Sequence, residues 1–175
     1  ALVVSGTHGK TTTSSMLALV LRSAEMKPSF IIGGDVNEVG TGAAWDDGSI
    51  FVVEGDESDG SFLLLPRDYA VVTNVEADHL EHHGGYEALE EAFEKFVEET
   101  CGPVIVGIDD EGGKKLASSQ NAISLGMDSS AEWRITELEE SWTGVSFNLK
   151  DPDNHELLVK LPIPGWHNEK NAACA

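Results

Sequence analysis

The run Ala1-Leu-Val-Val-Ser-Gly6-Thr7-His8-Gly9-Lys10-Thr11-Thr12 constrains the fold more than any other part of the chain. A short apolar stretch enters a glycine-bracketed turn. Residues 11–26 then place Met16, Leu17, Val20, Leu21 and Ala24 near the i, i+3, i+4 spacing of one helix face. A buried strand that feeds a helix N-terminus through such a turn points backbone N–H groups at an anion. In this setting Gly6, Thr7, His8, Gly9, Lys10, Thr11 and Thr12 form a candidate nucleotide-binding loop. The glycines let the main chain close around phosphate oxygens. Lys10 neutralises the β/γ-phosphates, and the Thr11 hydroxyl is placed to hold Mg²⁺. The usual phosphate-loop pattern places its first glycine five residues before Gly9, where Val4 stands; Gly6 takes over and shortens the turn.

The rest of the chain continues the same plan. Residues 30–32, 50–53, 69–73, 104–107 and 123–125 are apolar runs without alternation, read as strands buried on both faces. Helical patterns fall at 86–100, with Leu89, Phe93, Phe96 and Val97 on one face, and around 111–118. Residues 33–48 read as a polar, glycine-rich loop. From 131 to 161 the pattern changes to WRITELEE, GVSFNLK and ELLVKL, which alternate apolar and polar residues between turn-forming segments. The expected fold is therefore α/β: a phosphate-loop protein with a mostly parallel sheet flanked by helices. A small antiparallel β meander is appended near the C-terminal end, and another helix begins within 166–175.

Charge limits the partners. Eleven basic against 31 acidic residues give a formal charge of −20, a field that repels nucleic acid and anionic membranes. An anionic ligand must be held locally, by main-chain N–H groups, a helix end or a metal. No apolar run approaches the length of a membrane span. Cys101 and Cys174 lie far apart in a spacing that fits neither a metal nor a redox motif, as expected of a reducing, cytoplasmic compartment. The abrupt first and last residues suggest a cut through a longer protein.

Two strands run straight into acids. Residues 50–53 lead to Glu54-Gly-Asp56-Glu57-Ser-Asp59, and 69–73 lead to Asn74-Val-Glu76-Ala-Asp78-His79. In an open α/β sheet, ligands gather at the carboxyl ends of strands. Glu54, nearest its strand, is the first candidate for a nucleotide-bound Mg²⁺, with Asp56 and Glu57 second. His79 on chemistry alone is as consistent with a surface residue as with a ligand, because Mg²⁺ prefers oxygen. Glu81, His82 and His83 read as surface.

GTHGKTTT at 6–13, EGDESDGSF at 54–62, TNVEADHLE at 73–81 and the later His167-Asn168-Glu-Lys-Asn171-Ala together resemble the central ATP-binding domain of the Mur ligases. The resemblance covers essentially the whole chain, 1–175, in order, and is strongest to the alanine-adding branch. It implies a cytoplasmic step of peptidoglycan synthesis. ATP phosphorylates the lactyl carboxylate of UDP-N-acetylmuramate, and the amine of L-alanine attacks the acyl phosphate. By motif, Lys10 would bind the β/γ-phosphates, Thr11 and Glu54 the metal, and His79 a second Mg²⁺; Lys10, Glu54 and His79 become the catalytic set. His167, Asn168 and Asn171 match residues that meet adenine, whose N6/N7 edge suits an asparagine amide. A plain helix N-cap is the lesser alternative for Asn168. Gly55 replaces an expected Ala, and Glu81 an expected Asp. No carbamylated lysine is expected, since this branch lacks one. The resemblance also implies an N-terminal UDP-binding domain and a C-terminal domain beyond this stretch, without which it would bind nucleotide weakly and not ligate.

Other ligases of the superfamily, such as a murein tripeptide recycling ligase or a folylpolyglutamate synthase, fit the same motifs. An unrelated phosphate-loop kinase or NTPase fits the loop alone but lacks an N-K-x-D element. A nucleotide-binding module without chemistry is a third reading.

Overall fold

The computed structural model describes residues 1–36, 39–78 and 85–175. Ten strands form one sheet: β1 Leu2–Ser5, β2 Ser29–Val36, β3 Thr41–Ala44, β4 Phe51–Glu54, β5 Tyr69–Val72, β6 Val104–Gly107, β7 Ile123–Gly126, β8 Trp133–Ser141, β9 Gly144–Lys150 and β10 Glu156–Leu161. Among the described residues four α-helices accompany them: α1 Lys10–Ser23, α2 Tyr86–Glu98, α3 Glu111–Gln120 and α4 Asn168–Cys174, with a 3₁₀ turn at Ser61–Leu64.

The sheet order is β10-β9-β8-β7-β6-β5-β1-β4-β2-β3. From β2 through β4, β1, β5, β6 and β7 to β8 the neighbours are parallel. β3 adds antiparallel at one edge, and β9 and β10 at the other. The expected parallel sheet and antiparallel meander are both present, but they are one continuous sheet. The meander joins through two parallel pairs, Leu125 with Trp133 and Gly126 with Arg134.

The apolar runs lack alternation because both faces are covered. Val3, Val53, Ala70, Val72, Val104 and Val106 pack under Leu89, Phe93, Phe96 and Leu116 of α2 and α3. The alternate residues Val4, Val52 and Val71, with Phe30, Ile32 and Leu125, pack under Leu17 and Ala18 of α1 and Cys174 of α4. Ile135 and Phe147 of the meander belong to this second core. Cys101 and Cys174 are both free thiols, and burial pushes the Cys174 thiol up to about 12.

One sequence expectation needs correction. Residues 33–48 are not a plain loop. β2 runs on to Val36, and Thr41–Ala44 returns antiparallel to it as an edge strand. The glycines and alanines there carry little strand preference, so main-chain pairing to β2 decides the structure.

Candidate functional site

Ser5 ends β1 fully buried, and the chain turns there. Gly6 takes a φ of +131°, and a Cβ on it would strike the Thr73 hydroxyl and the main-chain nitrogens of Thr73 and Asn74. Gly9 takes a φ of +82° directly before α1 and brings no side-chain cap. The first-turn N–H groups of α1 therefore point outward as anion donors, reinforced by the helix dipole.

Neighbouring loops pin this turn. The Ser5 hydroxyl donates to the Gly55 carbonyl at 2.9 Å, and the Thr73 hydroxyl donates to the His8 carbonyl at 2.6 Å. The Asn74 amide grips His8 from both sides: its Oδ1 accepts from the His8 N–H at 2.8 Å and its Nδ2 donates to the His8 carbonyl at 2.9 Å. Thr7 Oγ1 accepts from the Glu76 N–H at 2.9 Å. The sequence motif at 73–81 draws attention to its histidine. Among the described residues its contribution is this clamp by Thr73 and Asn74, which the polar pair after a buried strand could have signalled.

Thr11 and Glu54 meet as the sequence suggested. Thr11 Oγ1 donates to Glu54 Oε1 at 2.8 Å, and Glu54 Oε2 accepts from the Gly33 N–H at 2.7 Å. A hydroxyl and a carboxylate side by side at the mouth of the loop are hard oxygen donors of the kind Mg²⁺ takes, so these residues fit that ion. The other two acids of the strand end face elsewhere. Asp56 Oδ1 accepts from the Ser58 N–H at 2.9 Å, a bond that holds its carboxyl below the usual range. Glu57 is turned inward onto Lys10, with Nζ 2.6 Å from Oε2. His79, with Glu81, His82 and His83, lies outside the described residues.

A cleft of about 260 Å³ opens beside the loop. His8, Gly9, Thr73 and Asn74 form one wall, Trp166, His167, Lys170 and Asn171 another, with Asp109 and Asp110 between. Lys170 spans the mouth, 3.1 Å from Asp109 and over the Trp166 ring. Asp110 caps α3 by accepting from the Gly113 N–H at 2.7 Å, and burial pushes its carboxyl up despite that bond. Of the three residues expected to meet adenine, His167 and Asn171 line the cleft. Asn168 is buried and donates to the Pro164 carbonyl at 2.8 Å, tying down the turn into α4. It is the first residue of the helix; His167 occupies the N-cap position. Asn171 reaches back across Gly9, its Oδ1 accepting from the Thr13 hydroxyl at 3.3 Å.

A glycine-bracketed turn at the carboxyl edge of a parallel sheet, a hydroxyl–carboxylate pair and an adjoining cleft form the candidate site of an α/β domain. The family model for the Mur ligase middle domain matches residues 4–175, and the chain belongs to that family. The UDP-N-acetylmuramate–L-alanine ligase of Salinispora tropica is 43% identical over 99% of this chain and 35% of its own length. The UDP-N-acetylmuramate–alanine ligase of Thermotoga maritima superposes with a TM-score of 0.86 at 29% identity, covering 98% of this chain and 39% of that one. The UDP-N-acetylmuramate:L-alanyl-γ-D-glutamyl-meso-diaminopimelate ligase of Neisseria meningitides gives 0.83 at 28% identity, over 99% of this chain and 58% of that one. The chain thus spans 35–40% of the length of the curated relatives it matches.

Proposed function

We propose that this chain is the ATP- and Mg²⁺-binding middle part of a cytoplasmic UDP-N-acetylmuramate–L-alanine ligase of peptidoglycan synthesis. The reading rests on relatives of that name at about two-fifths identity over nearly the whole chain. The single structural observation that carries it is the convergence of Lys10, Thr11 and Glu54 on one open loop at the sheet's carboxyl edge. In this reading the α1 N–H groups and Lys10 grip the β/γ-phosphates of ATP, and Thr11 with Glu54 holds Mg²⁺, which supplies charge neutralisation when bound. The lactyl carboxylate of UDP-N-acetylmuramate takes the γ-phosphoryl group and ADP leaves. The amine of L-alanine displaces phosphate from the acyl phosphate, forming the amide. His167 and Asn171 face the adenine. A role for Asn168 in that contact has less support, since its amide already serves the Pro164 carbonyl.

The cleft is smaller than a site that encloses a nucleotide. Flanking domains would supply the remaining walls, so the chain alone should bind ATP weakly, more strongly with Mg²⁺, and should not ligate. No helix among the described residues is long and apolar enough to cross a membrane. The test is phosphate release by the full-length protein: it should require both UDP-N-acetylmuramate and L-alanine. Release that ignores L-alanine but answers to the tripeptide L-alanyl-γ-D-glutamyl-meso-diaminopimelate would favour the second reading, the activity in the name of the Neisseria neighbour.

A further inference from the structure

Lys10 does not stand free above the loop. Its side chain is 15% exposed, and Nζ lies 2.6 Å from Oε2 of Glu57, whose own side chain is 1% exposed. The same Nζ donates to the carbonyls of Gly6 at 2.9 Å and Thr7 at 3.4 Å. Two carbonyls accept from the ammonium and a carboxylate lies in ion-pair contact with it. The carboxylate is held there by its loop: the Gly55 N–H donates to the Val4 carbonyl, the Phe62 N–H to the Asp56 carbonyl and the Gly60 N–H to the Glu57 carbonyl. Phe62 beneath it is fully buried. A phosphate that reaches Lys10 therefore competes with the Glu57 carboxylate for its charge, and it approaches a buried negative charge as it does so.

We propose that Glu57 is a positioning residue that competes with nucleotide phosphate for Lys10 and so weakens the hold of the loop on ADP. The inference deepens the nucleotide-binding reading and rests on it. With the carbonyls of Gly6 and Thr7 still orienting Nζ, a neutral side chain at 57 leaves the lysine charge for the ligand. The carboxylate keeps the empty loop electrically balanced and favours product release. A like charge near a bound phosphate costs affinity, and water entering the open loop moderates that cost.

The experiment is calorimetric titration of the chain in Mg²⁺ buffer with ADP and, separately, with adenosine, for wild type, Glu57→Gln and Glu57→Asp. Glu57→Gln should lower the Kd for ADP by roughly three- to tenfold and leave that for adenosine unchanged. Glu57→Asp keeps the charge and should stay within about twofold of wild type for both. Unchanged or weaker ADP binding by Glu57→Gln overturns the inference alone. So does a parallel loss of ADP and adenosine binding with a lowered Tm, which would mark Glu57 as a structural prop. If wild type binds no ADP, the nucleotide reading falls and takes this inference with it.

Discussion

The two halves of the sheet solve the same burial problem differently. The parallel half, from β2 to β7, covers both faces with helices, and its strands are four-residue apolar segments apart from the eight-residue β2. The antiparallel half, β8 to β10, packs against α4 and leaves Leu138, Leu157 and Leu158 in solvent. Every residue placed at the loop and the metal pair comes from the parallel half. Parallel strands end together, so three consecutive β-to-loop turns, after β1, β4 and β5, can brace one another. The meander contributes support only: the Glu140 carboxylate accepts from the Gly165 N–H at 3.2 Å and steadies the approach to α4. A chemical site needs converging strand ends; a meander of hairpins separates its ends and supplies area.

That comparison predicts that chemistry is lost in one half alone. In the full-length ligase proposed here, Lys10→Ala should reduce phosphate release by roughly 10³-fold or more, because the transferring phosphoryl group loses its fixed cation. A lysine on an open phosphate loop ordinarily costs little stability when it is removed. The pairing of Lys10 with Glu57 changes that expectation. Removing the lysine takes away the cation beside a buried carboxylate, at a cost of about 1–3 kcal/mol. Glu57→Gln in the same background should restore most of the stability and none of the activity. A Lys10→Ala variant that turns over normally, measured by coupled phosphate release, would remove the central role given to this loop.

Stability should divide less cleanly than chemistry. Phe93 and Phe147 are both fully buried, one on α2 against the parallel half and one on β9. Truncation of either to Ala should cost about 3–5 kcal/mol by denaturant titration. If Phe147→Ala costs under about 1 kcal/mol, the meander is an independent flap and the single continuous core is wrong.

A smaller effect comes from α4, which spans the two halves. Glu169 is fully buried, and its carboxylate has no hydrogen-bond partner among the described residues. Burial pushes its carboxyl above the ordinary value of 4.5. The folded state then holds the proton more tightly than the unfolded chain. Stability contributed by the protonated form is present below 4.5 and is lost as pH rises through the folded value. Glu169→Gln should therefore gain about 1 kcal/mol near pH 8 and nothing below about pH 4. A pH-independent difference would show that the carboxylate is solvated or paired.

Much of this was legible before any coordinates. Continuous apolar runs at 50–53 and 69–73 gave parallel strands because residues buried on both faces show no period, and alternation gave the meander because one of its faces is wet. The meeting of Thr11 with Glu54 was legible because each closes a strand or opens a helix at the same edge. Other features depend on tertiary packing. The strand Thr41–Ala44 has no sequence signature of its own and exists through its ladder to β2. Glu57 reads from the sequence as a second candidate for the metal, and the pinned loop turns it inward onto Lys10 instead. Asn168 carries the amide expected of an adenine contact, yet the turn at Pro164 claims it.

The smallest expected effect tests the outer limit of the meander. Trp142 stands at the β8–β9 turn with 98% of its side chain exposed. The turn around it is held by its neighbours: the Ser141 hydroxyl donates to the Gly144 carbonyl at 3.0 Å, and Ser141 pairs with Gly144 in the ladder. An exposed aromatic that buries no area adds little to folding, so Trp142→Ser should change stability by less than about 0.5 kcal/mol. Trp166, half-exposed, makes the contrast, because it lines the cleft and lies beneath the Lys170 ammonium. Trp166→Ala should weaken ADP binding severalfold at nearly unchanged Tm, while Trp142→Ser leaves ADP binding alone. A stability loss above about 1 kcal/mol from Trp142→Ser would show that the hairpin tip is covered in solution. The antiparallel half would then do more than extend the sheet.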